Sequence, residues 1–222
     1  MNGTLIIPDI HDNIGQLKRI DRQFGRDLPR IYLGDWFDSF NQKPEERDDT
    51  IRYLARELGS PGRTFLWGNH DWHYGSTNKF VCSGYRCETA QIVQQLLPVD
   101  WESYFTFYHE EAGWLLSHAG FNQPPSSFTT DEMAHRVGSC RGGNSKEGGP
   151  LWLDWDREFV GINPGIPYHM NQIVGHTTQP APALKNGSVC LDTGLRYVGL
   201  LLSTGELQIH YITGKKKVMT GA

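Results

Sequence analysis

Five times in this chain a short apolar run ends, with almost no spacer, in groups that bind metal ions or carry protons. Leu5-Ile6-Ile7 leads through Pro8 to Asp9 and His11. Ile31-Tyr32-Leu33 leads to Gly34-Asp35 and Asp38, and Thr64 to Trp67 leads to Gly68-Asn69-His70-Asp71. Trp114-Leu115-Leu116 ends in Ser117-His118, and Gln172-Ile173-Val174 ends in Gly175-His176. Short apolar runs of this kind are strands buried on both faces, as in an α/β protein. Parallel strands place all their C-terminal ends on one edge of the sheet. The polar tips of the first three strands, with Asp9, His11, Asp35, Asp38, Asn69 and His70, therefore converge on one chemical site if those strands are parallel.

The intervening residues predict helices that make them so. Asp12 or Asn13 is placed to cap a helix whose apolar residues Ile14, Leu17, Ile20 and Phe24 recur every three or four positions, with Gly25 closing it. Pro44 suits a first helical turn, Glu45, Glu46, Asp48 and Asp49 suit its positive end, and Ile51, Leu54 and Leu58 form the buried stripe before Gly59. The result is a βαβαβ unit. Asp9 and His11 are two apart, so both point the same way if the strand stays extended through them. Gly68 is expected to permit a sharp turn where a side chain would block it.

Further on, Glu88 to Leu97 reads as a helix. Trp101 to Tyr108 and Gly113 to Leu116 read as an antiparallel hairpin. Ser188 to Leu191, Tyr197 to Leu202 and Leu207 to Tyr211 read as antiparallel strands of a second sheet. About 122–150 the composition turns to Gly, Ser and Pro, marking a loop-rich, mobile or substrate-covering insertion. Within it a helix near Asp131 to Val137 carries a Thr129/Glu132 capping box.

The 222 residues are read as one domain, 1–222, which an α/β core with long loops can occupy. No run approaches the roughly 18 apolar residues of a membrane span, and the start lacks a basic region before its apolar residues, so a cytoplasmic location is expected. Cys82, Cys87, Cys140 and Cys190 lack CxxC spacing and are read as reduced thiols, with a Cys82 to Cys87 bridge or zinc corner as the alternative. A net charge of −4 argues against a broad basic face for duplex nucleic acid. Lys215-Lys216-Lys217 is read as a solvated tail. Oligomeric state leaves no signature in the sequence.

Asp9, His11, Asp35, Asn69, His118 and His176 offer oxygen and imidazole donors without thiolate, a set suited to manganese, iron or zinc. Six donors suffice for two metals sharing a carboxylate, the usual clamp for in-line attack on phosphorus.

The ordered series Asp9-x-His11, Gly34-Asp35-x-x-Asp38, Gly68-Asn69-His70-Asp71, His118-Ala119-Gly120 and Gly175-His176-Thr177 resembles the calcineurin-like metallophosphoesterase superfamily. The likeness is to its phosphoprotein phosphatase branch in particular, with its bacterial and phage phosphatases and diadenosine tetraphosphatases, and it extends from Asp9 to about Leu195. It implies an α/β four-layer sandwich, two facing mixed β-sheets flanked by helices. It also implies two divalent ions, manganese first, with iron or zinc as alternatives. Asp9, His11 and Asp35 would hold one ion, and Asp35 as bridge with Asn69, His118 and His176 the other. His70 would be the general acid, oriented by Asp38, and the nucleophile a metal-bridging hydroxide. The implied partner is a phosphorylated small molecule or protein, hydrolysed as a phosphomonoester or a nucleotide-type phosphoanhydride.

The pattern also departs from that branch. Asp12 stands where the family commonly has Gly. Ser39-Phe40 replaces Arg-Gly after GDxxD, removing a planar fork suited to phosphate. Gly175-His176-Thr177 in place of GHxH leaves the first metal one ligand fewer. Trp155-Asp156-Arg157 is similar to a tryptophan-and-arginine segment of bacterial members, making Arg157 a candidate phosphate contact, against a surface salt bridge with Asp154 or Glu158. Asp192-Thr193-Gly194 resembles a structural turn of the branch. His73 and Tyr74 are further candidates for substrate contact. Trp36, Trp67, Trp72, Trp152 and Trp155 lie near the tips, for core packing or for stacking on a base. Two other functions fit the same series: a phosphodiesterase or nuclease, which would need an open basic trench, and an inactive binding scaffold, which would be expected to lack a ligand or the acid.

Overall fold

The computed structural model describes residues 3–41, 43–75, 81–162 and 170–212, and the backbone of 218–219. The lysine run at 215–217 lies outside the described residues. In chain order the elements are β1 (Gly3–Ile7), α1 (Ile14–Phe24), β2 (Arg30–Tyr32), α2 (Pro44–Glu57), β3 (Arg63–Leu66), α3 (Asn69–Trp72), α4 (Cys87–Leu96), β4 (Phe105–Thr106), β5 (Tyr108–Glu111) and β6 (Trp114–Ser117). There follow α5 (Thr130–His135), β7 (Asn171–Val174), β8 (Ala183–Lys185), β9 (Ser188–Cys190), β10 (Tyr197–Leu202), β11 (Leu207–Tyr211) and β12 (Val218–Met219).

Two mixed sheets result. The first runs β12-β11-β10-β1-β2-β3-β4 and the second β5-β6-β7-β9-β8. β1, β2, β3 and β4 are parallel neighbours, as are β6, β7 and β9. The alternation of strand side chains builds the layers. Leu5 and Ile7 of β1, Tyr32 of β2 and Phe65 of β3 face a core shared with Leu17 and Ile20 of α1 and Ile51 and Leu54 of α2. Ile6, Ile31, Leu66 and Leu201 point the other way and pack against Leu116, Ile173 and Val189 of the second sheet. Over that sheet's far face lie Leu153, Trp155 and Phe159 from a turn-rich segment. No described helix is long and apolar enough to cross a membrane.

The helix signals in the sequence correspond to real caps. Asn13 accepts from Gln16 N at 3.2 Å, Gly25 ends α1 at φ 73°, and Thr129 and Glu132 form their reciprocal box at α5. The segment 122–150 is packed, with Met133, Ala134 and Val137 buried.

Three sequence expectations need correction. Trp101 to Tyr108 is not one hairpin strand. Trp101–Tyr104 is a 3-10 turn, Phe105–Thr106 joins the first sheet beside β3, and only Tyr108–Glu111 pairs with β6. The chain changes sheets within an apolar run, which periodicity cannot register. The three tail strands do not share a sheet: β9 pairs with β7 and β8, whereas β10 pairs antiparallel with β1. Finally, β1 stops at Ile7 and His11 has φ 44°, so Asp9 and His11 meet through a loop and not along an extended strand.

Candidate metal centre

The loops at the strand tips are sewn together by their backbones. Ile10 N and His11 N both donate to the Asp35 carbonyl, at 2.9 and 2.8 Å, hanging the β1 loop from the β2 loop. Gly175 N donates to the His118 carbonyl at 2.7 Å, pairing the two loops of the second sheet. The sheets are joined where His176 N donates to Asp9 Oδ2 at 2.9 Å and His118 Nδ1 donates to the Leu33 carbonyl at 2.9 Å. Gly68 lies where the chain turns from β3 into α3, and the crowding there excludes a side chain. Its φ is an ordinary −100°, but a Cβ there would lie 2.2 Å from both the amide nitrogen and Oδ1 of Asp35.

These contacts bring donor atoms into two overlapping groups. Asp9, His11 and Asp35 each present a ligand atom within 4.8 Å of the others, and so do Asp35, His118 and His176. Asn69 Oδ1 joins the second group, 2.9 Å from His118 Nε2. Asp35 is common to both: Oδ2 lies 3.5 Å from His11 Nε2 and Oδ1 lies 3.5 Å from His118 Nε2. Of the eight described non-glycine residues with positive φ, five are His11, Asp12, Asp35, Asp38 and His176. Left-handed backbone costs about 1–3 kcal/mol per residue and persists where the surroundings demand it, commonly at functional sites.

The protons of this cluster can be assigned from its partners. A carbonyl only accepts, so His118 carries its proton on Nδ1 toward Leu33, and His11 carries its own on Nδ1 toward Phe37 O at 3.0 Å. Burial pushes the pKa of His118 down, and burial followed by His118 and Arg141 pushes that of His176 well down. In the neutral rings the His118 Nε2 lone pair thus meets the Asn69 carbonyl oxygen at 2.9 Å and the His176 ring nitrogen Nδ1 at 3.1 Å. His11 Nε2 faces the Asp35 carboxylate at 3.5 Å. Acceptors aimed at acceptors repel unless a cation lies among them, and separations near 3 Å are the edges of a polyhedron with metal–ligand bonds of about 2.1 Å. Among the described residues, His176 Nε2 is buried without a hydrogen-bond partner. Asp9 is pushed well above the usual carboxylate range by burial and then by Asp192 and Asp35, and burial and Asp35 push Asp71 to about 8. The donor set fits divalent cations.

Beside it, Asp38 Oδ2 accepts from His70 Nδ1 at 3.1 Å and from His73 Nε2 at 2.6 Å, while Tyr74 Oη donates to Oδ1 at 2.5 Å. Burial opposes the His70 cation, but Asp35 and Asp38 outweigh it and raise its pKa well above the ordinary value. His73 is therefore a buried partner of Asp38 and not a residue open to substrate. Trp36, Trp67, Trp152 and Trp155 are buried and Trp72 packs on Trp67, so these rings are packing and not a base-stacking platform.

The structure does not bring Arg157 into the cluster. Its side chain is exposed, and its backbone N–H donates to Asp154 Oδ1 at 3.1 Å. The other Asp154 oxygen holds Arg141, whose Nη2 lies 3.2 Å from Oδ2 and 3.1 Å from Thr177 Oγ1, next to His176. Arg141 was missed because nothing local in Ser139-Cys140-Arg141 marks it; only Thr177, adjacent to the Gly175-His176 tip, hints at what it reaches. The two departures at Asp12 and Ser39 touch each other, Ser39 N donating to Asp12 Oδ2 at 3.0 Å.

A family model described as calcineurin-like phosphoesterase matches residues 4–177. The chain belongs to that family. Several solved phosphatases and a metallophosphoesterase share its fold at low identity. A candidate diadenosine tetraphosphatase aligns with a TM-score of 0.57 and 18% identity, covering 97% of this chain and 96% of the other. A protein serine/threonine phosphatase from Saccharomyces cerevisiae gives 0.57 and 14%, covering 97% and 81%. A metallophosphoesterase from Sphaerobacter thermophilus gives 0.54 and 14%, covering 96% and 89%. No curated protein matches the chain by sequence.

Proposed function

We propose that this calcineurin-like phosphoesterase is a dinuclear-metal phosphatase that hydrolyses a phosphomonoester or a nucleotide-type phosphoanhydride. The observation that carries the reading is the convergence of Asn69 Oδ1 and His176 Nδ1 on His118 Nε2, at 2.9 and 3.1 Å, where the lone pairs of Asn69 Oδ1 and His118 Nε2 face each other with no proton between them. Asp9, His11 and Asp35 would hold one cation, and Asp35, Asn69, His118 and His176 a second, with manganese the first choice for oxygen and imidazole donors. Bound there, the pair supplies an activated water and neutralises phosphoryl oxygens.

The chain's own residues do the rest. His70 keeps its proton because Asp38 and Asp35 favour the cation, so it can give that proton to the leaving oxygen. Asp38 fixes the ring through Nδ1 and is itself fixed by His73 and Tyr74. Arg141, turned toward Thr177 by Asp154, offers the cation for a phosphoryl oxygen that Ser39 cannot supply.

The test is turnover of an aryl phosphate monoester. The reading expects activity with manganese, loss on chelation and recovery on readdition. No turnover of aryl mono- or diesters at any manganese concentration would point to a binding scaffold instead.

A further inference from the structure

Three side chains outside the paired centre also converge. Cys82 Sγ lies 3.1 Å from His73 Nδ1 and 4.0 Å from His70 Nδ1, and the donors of His70, His73 and Cys82 all fall within 4.8 Å of one another. In tetrahedral zinc sites with the usual bond lengths, sulfur and nitrogen ligands stand about 3.5 Å apart. The two observed separations bracket that value, so small ring rotations would suffice. Asp38 Oδ2, 3.1 Å from His70 Nδ1, is a further oxygen in reach. The position of Cys82 is built and not incidental. Its sulfur is also 3.7 Å from the Asn69 carbonyl, and two residues on, Gly84 presses so closely that a Cβ there would lie 3.1 Å from both Asp38 Cβ and His70 Cε1.

We propose that His70, His73 and Cys82 form a third cation site, selective for zinc-like ions, whose occupation switches the phosphatase off. The inference rests on the phosphatase reading for its consequence, but not for its existence. Selectivity follows from the ligands: the paired centre offers oxygen and imidazole, whereas a thiolate favours zinc, cadmium or cobalt over manganese. On binding, Cys82 gives its thiol proton to solvent, and His70 and His73 each give up the proton on Nδ1, His73 keeping the one on Nε2 that it donates to Asp38. A ring with a metal on Nδ1 and a proton on Nε2 is no longer an imidazolium and is a far weaker acid. The site thus removes the proton donor while leaving the ligands of the paired centre in place.

The experiment uses the full chain loaded with manganese. Cobalt(II) is titrated in while the near-ultraviolet thiolate-to-cobalt charge-transfer absorption is followed, and zinc is titrated against turnover of an aryl phosphate. The proposal expects a charge-transfer band that zinc displaces, absent in Cys82→Ser and Cys82→Ala and retained in Cys140→Ser. Zinc should suppress turnover roughly 10²-fold or more, the contribution of a general acid. Cys82→Ser should turn over without zinc and need at least ~10-fold more zinc for the same inhibition. No band in the wild type, a band that survives in Cys82→Ser, or zinc inhibition unchanged in that variant would overturn it. A Cys82-dependent band in a protein without turnover would instead retain the site and reject the phosphatase reading.

Discussion

The same parallel strands carry a buried polar cluster at each end, and the two clusters are built on opposite principles. At the N-terminal end, Arg30 opens β2 and Arg63 opens β3. Arg30 Nη1 lies 2.7 Å from Asp21 Oδ1, and Arg63 Nε lies 2.7 Å from Glu57 Oε2. Arg26 also pairs with Glu57, and the hydroxyls of Tyr32 and Tyr53 complete the network, donating to Glu57 and Asp21 at 2.9 Å. Each carboxylate there has an arginine. At the C-terminal end, Asp9, Asp35 and Asp38 are buried, and among the described residues none of them forms an ion pair with lysine or arginine; the ionisable partners of Asp35 and Asp38 there are imidazoles. A buried charge must be paired or must coordinate a metal. The first cluster is complete as it stands and serves the fold, while the second gathers donors suited to cations.

Changes at the C-terminal cluster should therefore abolish chemistry and spare the fold, and the reverse should hold at the N-terminal one. The largest effect is expected from Asp35→Asn, which weakens the carboxylate that faces both metal groups: turnover of an aryl phosphate should fall by roughly 10³-fold or more, with the thermal transition retained. His70→Ala should leave bound manganese unchanged and lower kcat by roughly 10² to 10⁴, separating acid from ligands in a combined metal and rate assay. Glu57→Gln should leave the kcat of the folded enzyme intact and lower stability by about 3 kcal/mol, because Arg63 loses its counter-charge in a buried setting, as urea unfolding would measure.

That variant also carries a pH signature. Although burial opposes it, hydrogen bonds from Arg63 and Tyr32 and the charges of Arg63 and Arg26 hold Glu57 below its ordinary 4.5. A depressed carboxyl contributes stability that is fully present above the unfolded value and is lost as the pH falls through the folded one. The wild type should therefore lose stability below about pH 4.5 more steeply than Glu57→Gln does. The smallest effect is expected of Arg141→Ala: a rise in KM of roughly tenfold, as for one hydrogen bond to a charged group, with kcat little changed. Equal kinetics for Arg141→Ala and wild type, and a deficit in Arg157→Ala instead, would move the phosphate contact to the other arginine.

The contrast between the two ends also explains what the sequence could disclose. The C-terminal site was legible because each donor stands directly after a strand, so Asp35, Asn69, His118 and His176 could be picked out one motif at a time. The N-terminal cluster was invisible, since Asp21, Arg30, Glu57 and Arg63 share no motif and meet only once α1 and α2 are docked. Arg141 and Cys82 were illegible for the same reason, each reaching the site from a segment with no periodic signal. Sheet membership failed at Phe105 and at Tyr197, where apolar strands of identical pattern go to different sheets. Gly68 was legible as a place where a side chain would block the turn, but not the neighbour that blocks it, because Asp35 is distant in the chain.

The most direct test of the account is the number of manganese ions bound per chain at equilibrium, measured for the wild type and for Asp35→Asn. The account predicts two ions in the wild type, with weakened binding of both in the variant, because one carboxylate faces both groups. Fewer than two ions in the wild type, or binding undisturbed by Asp35→Asn, would contradict it.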